Sequence, residues 1–210
     1  PVWLKTPQPV HEREDALAII LDLSRSMYAI DIKPNRLVRA QRKLQDLLTL
    51  RKEGVTALIA YAGDAHTVSP LTDDANTISE MIPAVTPEIM PAPGSQLAPA
   101  LNLAVQLFTD ASVASGRILL LTDEIRDIAE SQAIAREHRT AYPISVMSVG
   151  TAAGAPIDGS RLLRDGGYLK DFQGNLVIPR VNLSAMQDFA QVAGGRYSPM
   201  TLTDEDLDYL

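Results

Sequence analysis

The sequence predicts an α/β fold with a mainly parallel sheet, and three observations support this prediction. Short apolar runs of strand length recur along the chain, at residues 15–22, 55–63, 116–124 and 142–150. They lack the polar alternation of a half-exposed strand, which favours central strands that are buried on both faces. Amphipathic segments of helical length separate the runs, and strands that alternate with helices are typical of parallel sheets.

The clearest helix is predicted over residues 33–50, after the first strand. Gly54 follows this helix and is expected to end it. The element at residues 66–71 is predicted to be a short edge strand, because Pro70 cannot donate a hydrogen bond to a second neighbouring strand. The apolar residues of the helix recur at helical spacing, and they are Leu37, Ala40, Leu44, Leu47 and Leu48.

Proline and glycine divide the second half of the chain into its remaining elements. Residues 83–95 contain four prolines and are expected to form an ordered loop between helices at 72–82 and 96–108. A glycine-rich stretch with two turn signals predicts a β-hairpin insertion near residues 156–180. The other predicted elements are helices at 126–138 and 182–195 and a last strand at 196–200.

One domain is predicted over residues 15–200, because no linker separates two blocks large enough to form separate cores. Residues 1–14 are polar and rich in proline, and they are expected to form a lead-in segment that includes Trp3. Residues 201–210 are acidic and are expected to form a solvated tail. The chain begins with Pro1 rather than Met, so we expect it to be part of a longer protein. It shows no signal peptide and no apolar run of the roughly 18–20 residues that cross a membrane.

The composition excludes several kinds of site. The 210 residues are 46% hydrophobic and 21% charged, which is ordinary for a chain with one sizeable core. The formal net charge of -7 argues against a nucleic-acid-binding protein, which needs a basic face. The absence of cysteine excludes disulfides, thiolate catalysis and zinc sites built on cysteine. His11, His66 and His138 lie far apart and are expected to be surface or structural residues.

Five side chains at the ends of predicted elements form a candidate metal site. Asp22 ends the first apolar strand, and Asp123 ends the third. In an open α/β sheet, ligands bind beyond the carboxyl ends of the strands, so the two carboxylates converge if these strands are neighbours. Ser24 and Ser26 follow on the first loop, and Ser95 comes from the proline-rich loop just before a helix.

All five side chains offer hard oxygen ligands, which indicates magnesium rather than zinc or copper. Mg²⁺ takes about six oxygen ligands and keeps several waters, whereas zinc and copper prefer nitrogen or sulfur. Mn²⁺ and Ca²⁺ are alternatives for the same donor set. A structural interpretation also stays open, because Asp and Ser are common after strands, where they cap helices and form turns.

Three segments carry a family resemblance. They are "DLSRS" at residues 22–26, "PGSQLAPAL" at 93–101 and "LLLTDE" at 119–124. In this order they resemble the von Willebrand factor A (VWA) domain and its metal-ion-dependent adhesion site, and the resemblance covers about residues 15–200. It implies a doubly wound, Rossmann-like fold, in which a mostly parallel central sheet is flanked by helices.

The resemblance also implies roles for the five side chains. Asp22, Ser24 and Ser26 match the first motif of the family, and Asp123 matches its second aspartate. Ser95 stands where the family usually has threonine, so the hydroxyl is kept but the methyl group that helps to fix the rotamer is lost. In the family, the hydroxyls bind the metal directly, and the aspartates bind it directly or through water.

Three further residues are expected beside the metal or in contact with a partner. Asp31 is expected to stabilise the start of the helix that follows it, and the alternative is that it contacts a ligand of the metal rather than the metal itself. Gly94 precedes Ser95 in the proline-rich loop. Glu124 stands where the family often has glycine, so it adds a carboxylate beside the site.

Longer segments resemble the membrane-anchored bacterial proteins of the Bat type, which belong to aerotolerance operons. These segments include "SMYAIDIKPNRLVRAQRKLQDLL", "YAGDAHTVSPLTDD" and "GYLKDFQGNLVIPRV". In that family, transmembrane helices flank the A domain, and the genes often accompany MoxR-type AAA+ ATPases. The resemblance implies a parent protein in the bacterial inner membrane and a soluble A domain, with the periplasmic side favoured over the cytoplasmic side. Residues 1–14 would then be a membrane-proximal stem.

The expected function is metal-dependent protein binding rather than catalysis. The resemblance implies that Mg²⁺ captures an Asp or Glu of a protein partner, such as another Bat-type protein or a MoxR-type AAA+ ATPase. A structural VWA domain with a degenerate metal site is one alternative. A Mg²⁺-dependent phosphotransfer enzyme is another, but the chain has no phosphate-binding P-loop, no G-x-S-x-G motif and no histidine placed as a base.

Overall fold

A six-stranded sheet forms the centre of the structure, a computed structural model that describes residues 15–203 and 205–209. The predicted lead-in segment at 1–14, with Trp3 and His11, lies outside the described residues. The strands are β1 (Ala16–Asp22), β2 (Val55–Tyr61), β3 (Ala65–Thr72), β4 (Arg117–Thr122), β5 (Ile144–Ser148) and β6 (Gly194–Pro199). The α-helices are α1 (Arg36–Leu50), α2 (Ala75–Met81), α3 (Leu97–Asp110), α4 (Ile128–His138), α5 (Leu183–Val192) and α6 (Glu205–Tyr209). None of these described helices is long and apolar enough to cross a membrane.

β1 lies inside the sheet, whose strand order is β3-β2-β1-β4-β5-β6. It pairs in parallel with β2 on one side and with β4 on the other, while β3 runs antiparallel at one edge. The chain therefore winds in both directions from β1, and the carboxyl ends of β1 and β4 form the topological switch point of the sheet. The predicted α/β fold with a mostly parallel sheet is confirmed, as is the edge strand that contains Pro70.

Two apolar layers cover the two faces of the sheet. Ala18 and Ile20 of β1 belong to the layer formed with α3 and α5, whereas Ile19 and Leu21 belong to the layer formed with α1 and α2. All seven residues of β1 are buried, as expected for a central strand without polar alternation. The buried stripe of α1 contains Leu37, Ala40, Leu44 and Leu48.

The insertion at residues 156–180, where the sequence predicts a β-hairpin, is held together by short stretches of antiparallel pairing. It contains isolated antiparallel bridges instead of a continuous ladder, and these join Asp158 to Tyr168, Lys170 to Leu176 and Ala29 to Ile157. Gly166, Gly167 and Gly174 all have positive φ. The backbone N–H of Asp171 donates to the carbonyl of Asn175 at 2.9 Å, and that of Val177 donates to the carbonyl of Leu169 at 3.0 Å, so a short hairpin forms about the turn that contains Gly174.

The C-terminal segment departs from the solvated tail that the sequence predicts. Its helix α6 places Asp206 in a buried position. The Asp206 carboxylate accepts hydrogen bonds from Lys43 Nζ at 2.9 Å and from the backbone N–H of Thr201 at 2.7 Å. The acidic composition of the segment gave no sign of this contact, because the partner lysine lies on α1, distant in the sequence.

Candidate functional site

Two carboxylates converge at the switch point of the sheet. Asp22 is the last residue of β1, and Asp123 directly follows β4. Because β1 and β4 are parallel neighbours, both side chains lie at the same edge of the sheet. Their exposed fractions are 0% and 1%. The structure thus brings together the two strand-end aspartates that the sequence indicated.

Asp22 lies under the first loop and accepts hydrogen bonds from three donors. Its Oδ1 accepts from the backbone N–H of Ser24 at 2.7 Å, which fixes the turn out of β1. Its Oδ2 accepts from Tyr61 OH at 3.1 Å and from Thr122 Oγ1 at 2.6 Å. Neither of these two hydroxyls was predicted from the sequence. The available signal was their position, since Tyr61 and Thr122 end the two strands that flank β1.

The serine hydroxyls of the first loop form a chain that ends at the second aspartate. Ser24 Oγ and Ser26 Oγ are 2.8 Å apart. Ser26 Oγ donates a hydrogen bond to Asp123 Oδ1 at 3.0 Å. A 3-10 turn over Arg25–Tyr28 follows Ser24 and places the two hydroxyls side by side. The D-x-S-x-S spacing therefore produces one compact group of oxygen atoms above the sheet.

Ser95 comes from the proline-rich loop, which packs against the turn between β2 and β3. Gly94 and Gly63 permit this packing, because a Cβ at Gly94 would lie 2.8 Å from the Cα of Gly63. The backbone N–H of Gly63 donates to the carbonyl of Ala92 at 3.0 Å and holds the loop in place. Ser95 Oγ is buried and has no hydrogen-bond partner among the described residues. A buried hydroxyl in this state needs a ligand or an ordered water to satisfy it.

The three serines and Asp123 line one cleft, which has a volume of about 480 Å³. Asp22 does not line this cleft and lies deeper in the protein. Within residues 15–203 and 205–209, no group of three or more His, Asp or Glu side chains is arranged to hold a metal ion. Any cation in this cleft would therefore depend on the hydroxyls, and hydroxyl and carboxylate oxygens are a donor set that fits Mg²⁺.

Arg36 is a buried cation beside the site, and its role was not predicted from the sequence. Its side chain is fully buried, and its Nη1 donates to Asp123 Oδ2. Nε and Nη2 donate to the Asp31 carboxylate at 2.8 and 2.7 Å, and Nη2 also donates to the carbonyl of Pro179 at 2.8 Å. Arg36 was missed because the helical pattern of α1 assigns arginine to the solvent face. The available signal was Asp31, an acid shortly before an arginine at the start of a helix.

The three additional residues proposed from the sequence occupy different positions. Asp31 reaches Asp123 only through Arg36, and it also accepts from the backbone N–H of Thr151 at 2.8 Å. Glu124 lines the cleft and forms an exposed ion pair with Arg126, at 2.7 Å. Gly94 lines the cleft beside Ser95. Glu124 and Gly94 are therefore accessible from the cleft, whereas Asp31 acts on the site through the guanidinium.

Burial changes the ionisation of the acidic residues at this site. Burial and the nearby charge of Asp123 raise the pKa of Asp22 to about 7. Burial also raises the pKa of Asp123, although the Arg36 guanidinium opposes this shift. Burial would raise the pKa of Asp31 as well, but hydrogen bonds from Arg36 and Thr151 outweigh it and lower that pKa. A cation in the cleft would favour the charged form of Asp22.

We expect the metal-free protein to lose stability as the pH rises from about 5 to about 7. The pKa of Asp22 is about 7 in the folded protein and 3.8 in an unperturbed chain, so the folded state holds a proton that the unfolded state has lost. The free energy of unfolding therefore falls through this window and levels off above it. Asp22→Asn cannot ionise and should remove on the order of 2 kcal/mol of this decline. Urea unfolding in EDTA at about pH 5 and about pH 7 measures the decline in the free energy of unfolding for the unsubstituted domain and for Asp22→Asn. Equal declines in the two proteins would contradict this prediction.

The sequence profile of the von Willebrand factor type A domain matches residues 17–125, just over half of the chain. The matched residues run from β1 to just past Asp123 and include all five predicted side chains of the candidate site. The chain belongs to the von Willebrand factor type A family.

Solved structures of bacterial aerotolerance proteins resemble this VWA domain over nearly its whole length. The aerotolerance-related membrane protein from Bacteroides fragilis is 27% identical, has a TM-score of 0.78, and covers 89% of this chain and 92% of its own. BatB from Bacteroides thetaiotaomicron is 29% identical, has a TM-score of 0.78, and covers 90% and 91%. A von Willebrand factor type A protein from Catenulispora acidiphila shares the fold alone, with 15% identity, a TM-score of 0.63, and coverage of 90% and 39%. No curated protein matches the chain.

These similarities confirm the family and the Bat-type resemblance that the sequence indicated. The VWA domain is related to Bat proteins, and this relationship is consistent with a role in protein interaction.

Proposed function

We propose that this VWA domain binds a divalent cation, preferably Mg²⁺, and through it a carboxylate of a protein partner. The observation that carries the proposal is the buried hydroxyl of Ser95. It has no hydrogen-bond partner among the described residues, and Ser95 lines the same cleft as Ser24 and Ser26. A buried polar group without a partner costs about 1–3 kcal/mol, which a ligand in the cleft would recover.

Each of the five predicted side chains has a part in this proposal. Ser24, Ser26 and Ser95 would hold the cation, and Asp22 and Asp123 would orient it. The hydroxyls are neutral ligands, and the Arg36 guanidinium offsets the charge of Asp123. The site would therefore neutralise little of the charge of the cation. The cation would keep a net positive charge and attract an Asp or Glu of the partner.

The proposed partner belongs to a membrane-associated bacterial complex. The support is the similarity to the aerotolerance-related membrane protein from Bacteroides fragilis and to BatB from Bacteroides thetaiotaomicron. Another Bat-type protein or a MoxR-type AAA+ ATPase that offers an acidic side chain is the candidate partner. We place the parent protein in the inner membrane, with this domain on the periplasmic side.

A structural VWA domain with a degenerate metal site is the second candidate, and one observation favours it. The Arg36 guanidinium is fully buried and already supplies a positive charge to Asp123. If this arginine has taken over the charge-balancing role of a metal, no divalent cation would change the stability of the domain. Phosphotransfer is the third candidate. Phosphatase and nucleotidase assays with Mg²⁺ or Mn²⁺ test this candidate, and we expect no activity in them.

Ser95→Ala is expected to abolish stabilisation by Mg²⁺ without weakening the metal-free domain. In EDTA, the substitution removes a buried hydroxyl that makes no hydrogen bond, so the melting temperature should stay the same or rise. Mg²⁺ at about a hundredfold excess over its Kd should stabilise the unsubstituted domain by about 2.7 kcal/mol, and the variant far less. Thermal melts with EDTA, Mg²⁺, Mn²⁺ and Ca²⁺ measure both effects.

Ser131→Ala is the matched control for this experiment. Ser131 Oγ on α4 is also buried and also lacks a hydrogen-bond partner among the described residues, but it does not line the cleft. This variant should keep the full Mg²⁺ response. A full response in Ser95→Ala would contradict the role of Ser95, and no response in the unsubstituted domain would support the degenerate site.

A further inference from the structure

We infer that residues 156–180 form one wall of a groove that selects the partner. The groove fits an acidic segment in which a large apolar side chain lies next to the carboxylate that enters the cleft. This inference rests on the proposed function and adds the chemistry of the partner to it.

The wall is apolar and adjoins the candidate cation site. Leu169, Val177 and Ile178 line the same cleft as Ser26 and Asp123. Ile178 is 43% exposed and so offers an aliphatic surface that a partner side chain can cover. A peptide whose carboxylate enters the cleft would therefore bring the neighbouring residue over this surface.

Hydrogen bonds hold the wall in place beside the site. The backbone N–H of Val177 donates to the carbonyl of Leu169 at 3.0 Å. Arg36 donates to the carbonyl of Pro179 at 2.8 Å, and the same guanidinium binds Asp123. The wall and the candidate cation site thus share one buried side chain. A groove that is formed before the partner arrives lowers the entropic cost of binding.

Exposed apolar side chains are concentrated in this segment. In the described part of the chain, eleven large hydrophobic residues are exposed, and five of them lie within residues 156–180. One of the five, Ile178, lines the cleft. A concentration of exposed apolar side chains of this kind marks an interaction surface rather than the scattered exposure that is normal for a soluble protein. The five residues are Leu163, Tyr168, Phe172, Leu176 and Ile178.

The rim of the groove is basic, although the whole chain has a formal net charge of -7. Arg25, Arg126 and Arg180 line the cleft, and Glu124 at the rim is paired with Arg126. Among the described residues, Arg25 and Arg180 form no ion pair. Two guanidinium groups without carboxylate partners complement a partner segment with further acidic residues, which would also accelerate its association.

Four labelled peptides test the inference by fluorescence polarisation with the 210-residue chain in Mg²⁺. The reference peptide has an Asp between two Leu residues in a serine-rich background. The second peptide replaces both Leu residues with Gly, the third replaces Asp with Asn, and the fourth adds Glu at both ends of the reference. We expect the Gly peptide to bind about fivefold more weakly or worse, the Asn peptide about tenfold more weakly, and the Glu-extended peptide more tightly.

Two substitutions assign these preferences to the groove. Ile178→Ser should remove the preference for Leu over Gly, while the preference for Asp and the Mg²⁺ shift of the melting temperature are retained. Arg180→Ser should remove the gain from the added Glu residues. Leu50→Ser is the matched control, because Leu50 is 53% exposed at the end of α1 and does not line the cleft.

The outcomes separate this inference from the proposed function. If the reference peptide and the Gly peptide bind equally well and the preference for Asp over Asn is retained, the inference is overturned but the proposed function is not. Equal binding of the Asp and Asn peptides, with and without EDTA, would overturn the proposed function. Binding to anionic phosphatidylglycerol vesicles that is lost in Phe172→Ser and competes with the peptides would assign the wall to a membrane surface and overturn the inference.

Discussion

Arg36→Met is expected to lower the free energy of unfolding in EDTA by about 3–5 kcal/mol. The Arg36 guanidinium is fully buried and binds the carboxylates of Asp31 and Asp123 and the carbonyl of Pro179. Without it, two carboxylates stay buried with no positive charge beside them, which is far less favourable than a complete network. Urea unfolding measures the loss, and a domain of this size should melt roughly 10 °C lower.

Mg²⁺ should compensate part of this loss if it binds as proposed. Removal of the guanidinium frees one oxygen of Asp123 and makes the cleft more negative, so the affinity for Mg²⁺ should increase. The melting temperature of Arg36→Met should therefore rise more with Mg²⁺ than that of the unsubstituted domain. Arg42→Met, on the exposed face of α1, is the control and should change the stability by less than about 0.5 kcal/mol. Equal effects of the two substitutions would contradict the structural role of Arg36.

Lys43→Met is expected to lower the free energy of unfolding by about 2–4 kcal/mol. Lys43 and Asp206 are both buried, and Lys43 Nζ lies 2.9 Å from Asp206 Oδ1. Without the ammonium group, the Asp206 carboxylate keeps the backbone N–H of Thr201 as a donor but loses its charge partner. Detachment of α6 from the domain would then cost less free energy than keeping the Asp206 carboxylate buried without a charge partner. Urea unfolding and limited proteolysis measure the two consequences, and we expect faster cleavage after residue 200.

A second substitution separates the lost ion pair from the stranded charge. Asp206→Leu, added to Lys43→Met, removes the buried carboxylate and should restore a large part of the stability. Lys52→Met changes an exposed lysine just after α1 and should alter the stability by less than about 0.5 kcal/mol. If Lys43→Met left both the stability and the cleavage rate unchanged, α6 would not be docked through this pair.

The elements of the fold could be predicted because their signals are local. The uninterrupted apolar run of β1 indicates a strand buried on both faces, and all seven of its residues are buried. Pro70 indicates an edge strand, and β3 lies at an edge. The insertion at 156–180 was harder, because strand pairing depends on how many consecutive residues stay extended. The glycine turns of this segment limit its antiparallel pairing to isolated bridges and a short hairpin at residues 169–177.

The candidate site could be predicted in its oxygen donors but not in its surrounding network. Asp22 and Asp123 lie at the carboxyl ends of adjacent parallel strands, as the proposed site requires. Their binding of a metal stays a prediction. Arg36 and Tyr61 could not be assigned from the sequence, since an arginine on an amphipathic helix and a tyrosine at a strand end are usually exposed or packed in a core. Both instead donate hydrogen bonds to the buried aspartates.

By itself, the sequence determined the order of strands and helices, the two strand-end aspartates and the oxygen-rich character of the candidate site. These features depend on residue type and on short-range spacing, which local conformational preferences and hydrophobic patterning translate directly into elements. Only the tertiary structure decided that β1 and β4 are neighbours, that a proline-rich loop brings Ser95 to the same cleft, and that Arg36 binds Asp123. Ser26 and Arg36 reach Asp123 across 97 and 87 residues of chain. Contacts over such separations are set by the packing of the whole domain, which no local pattern contains.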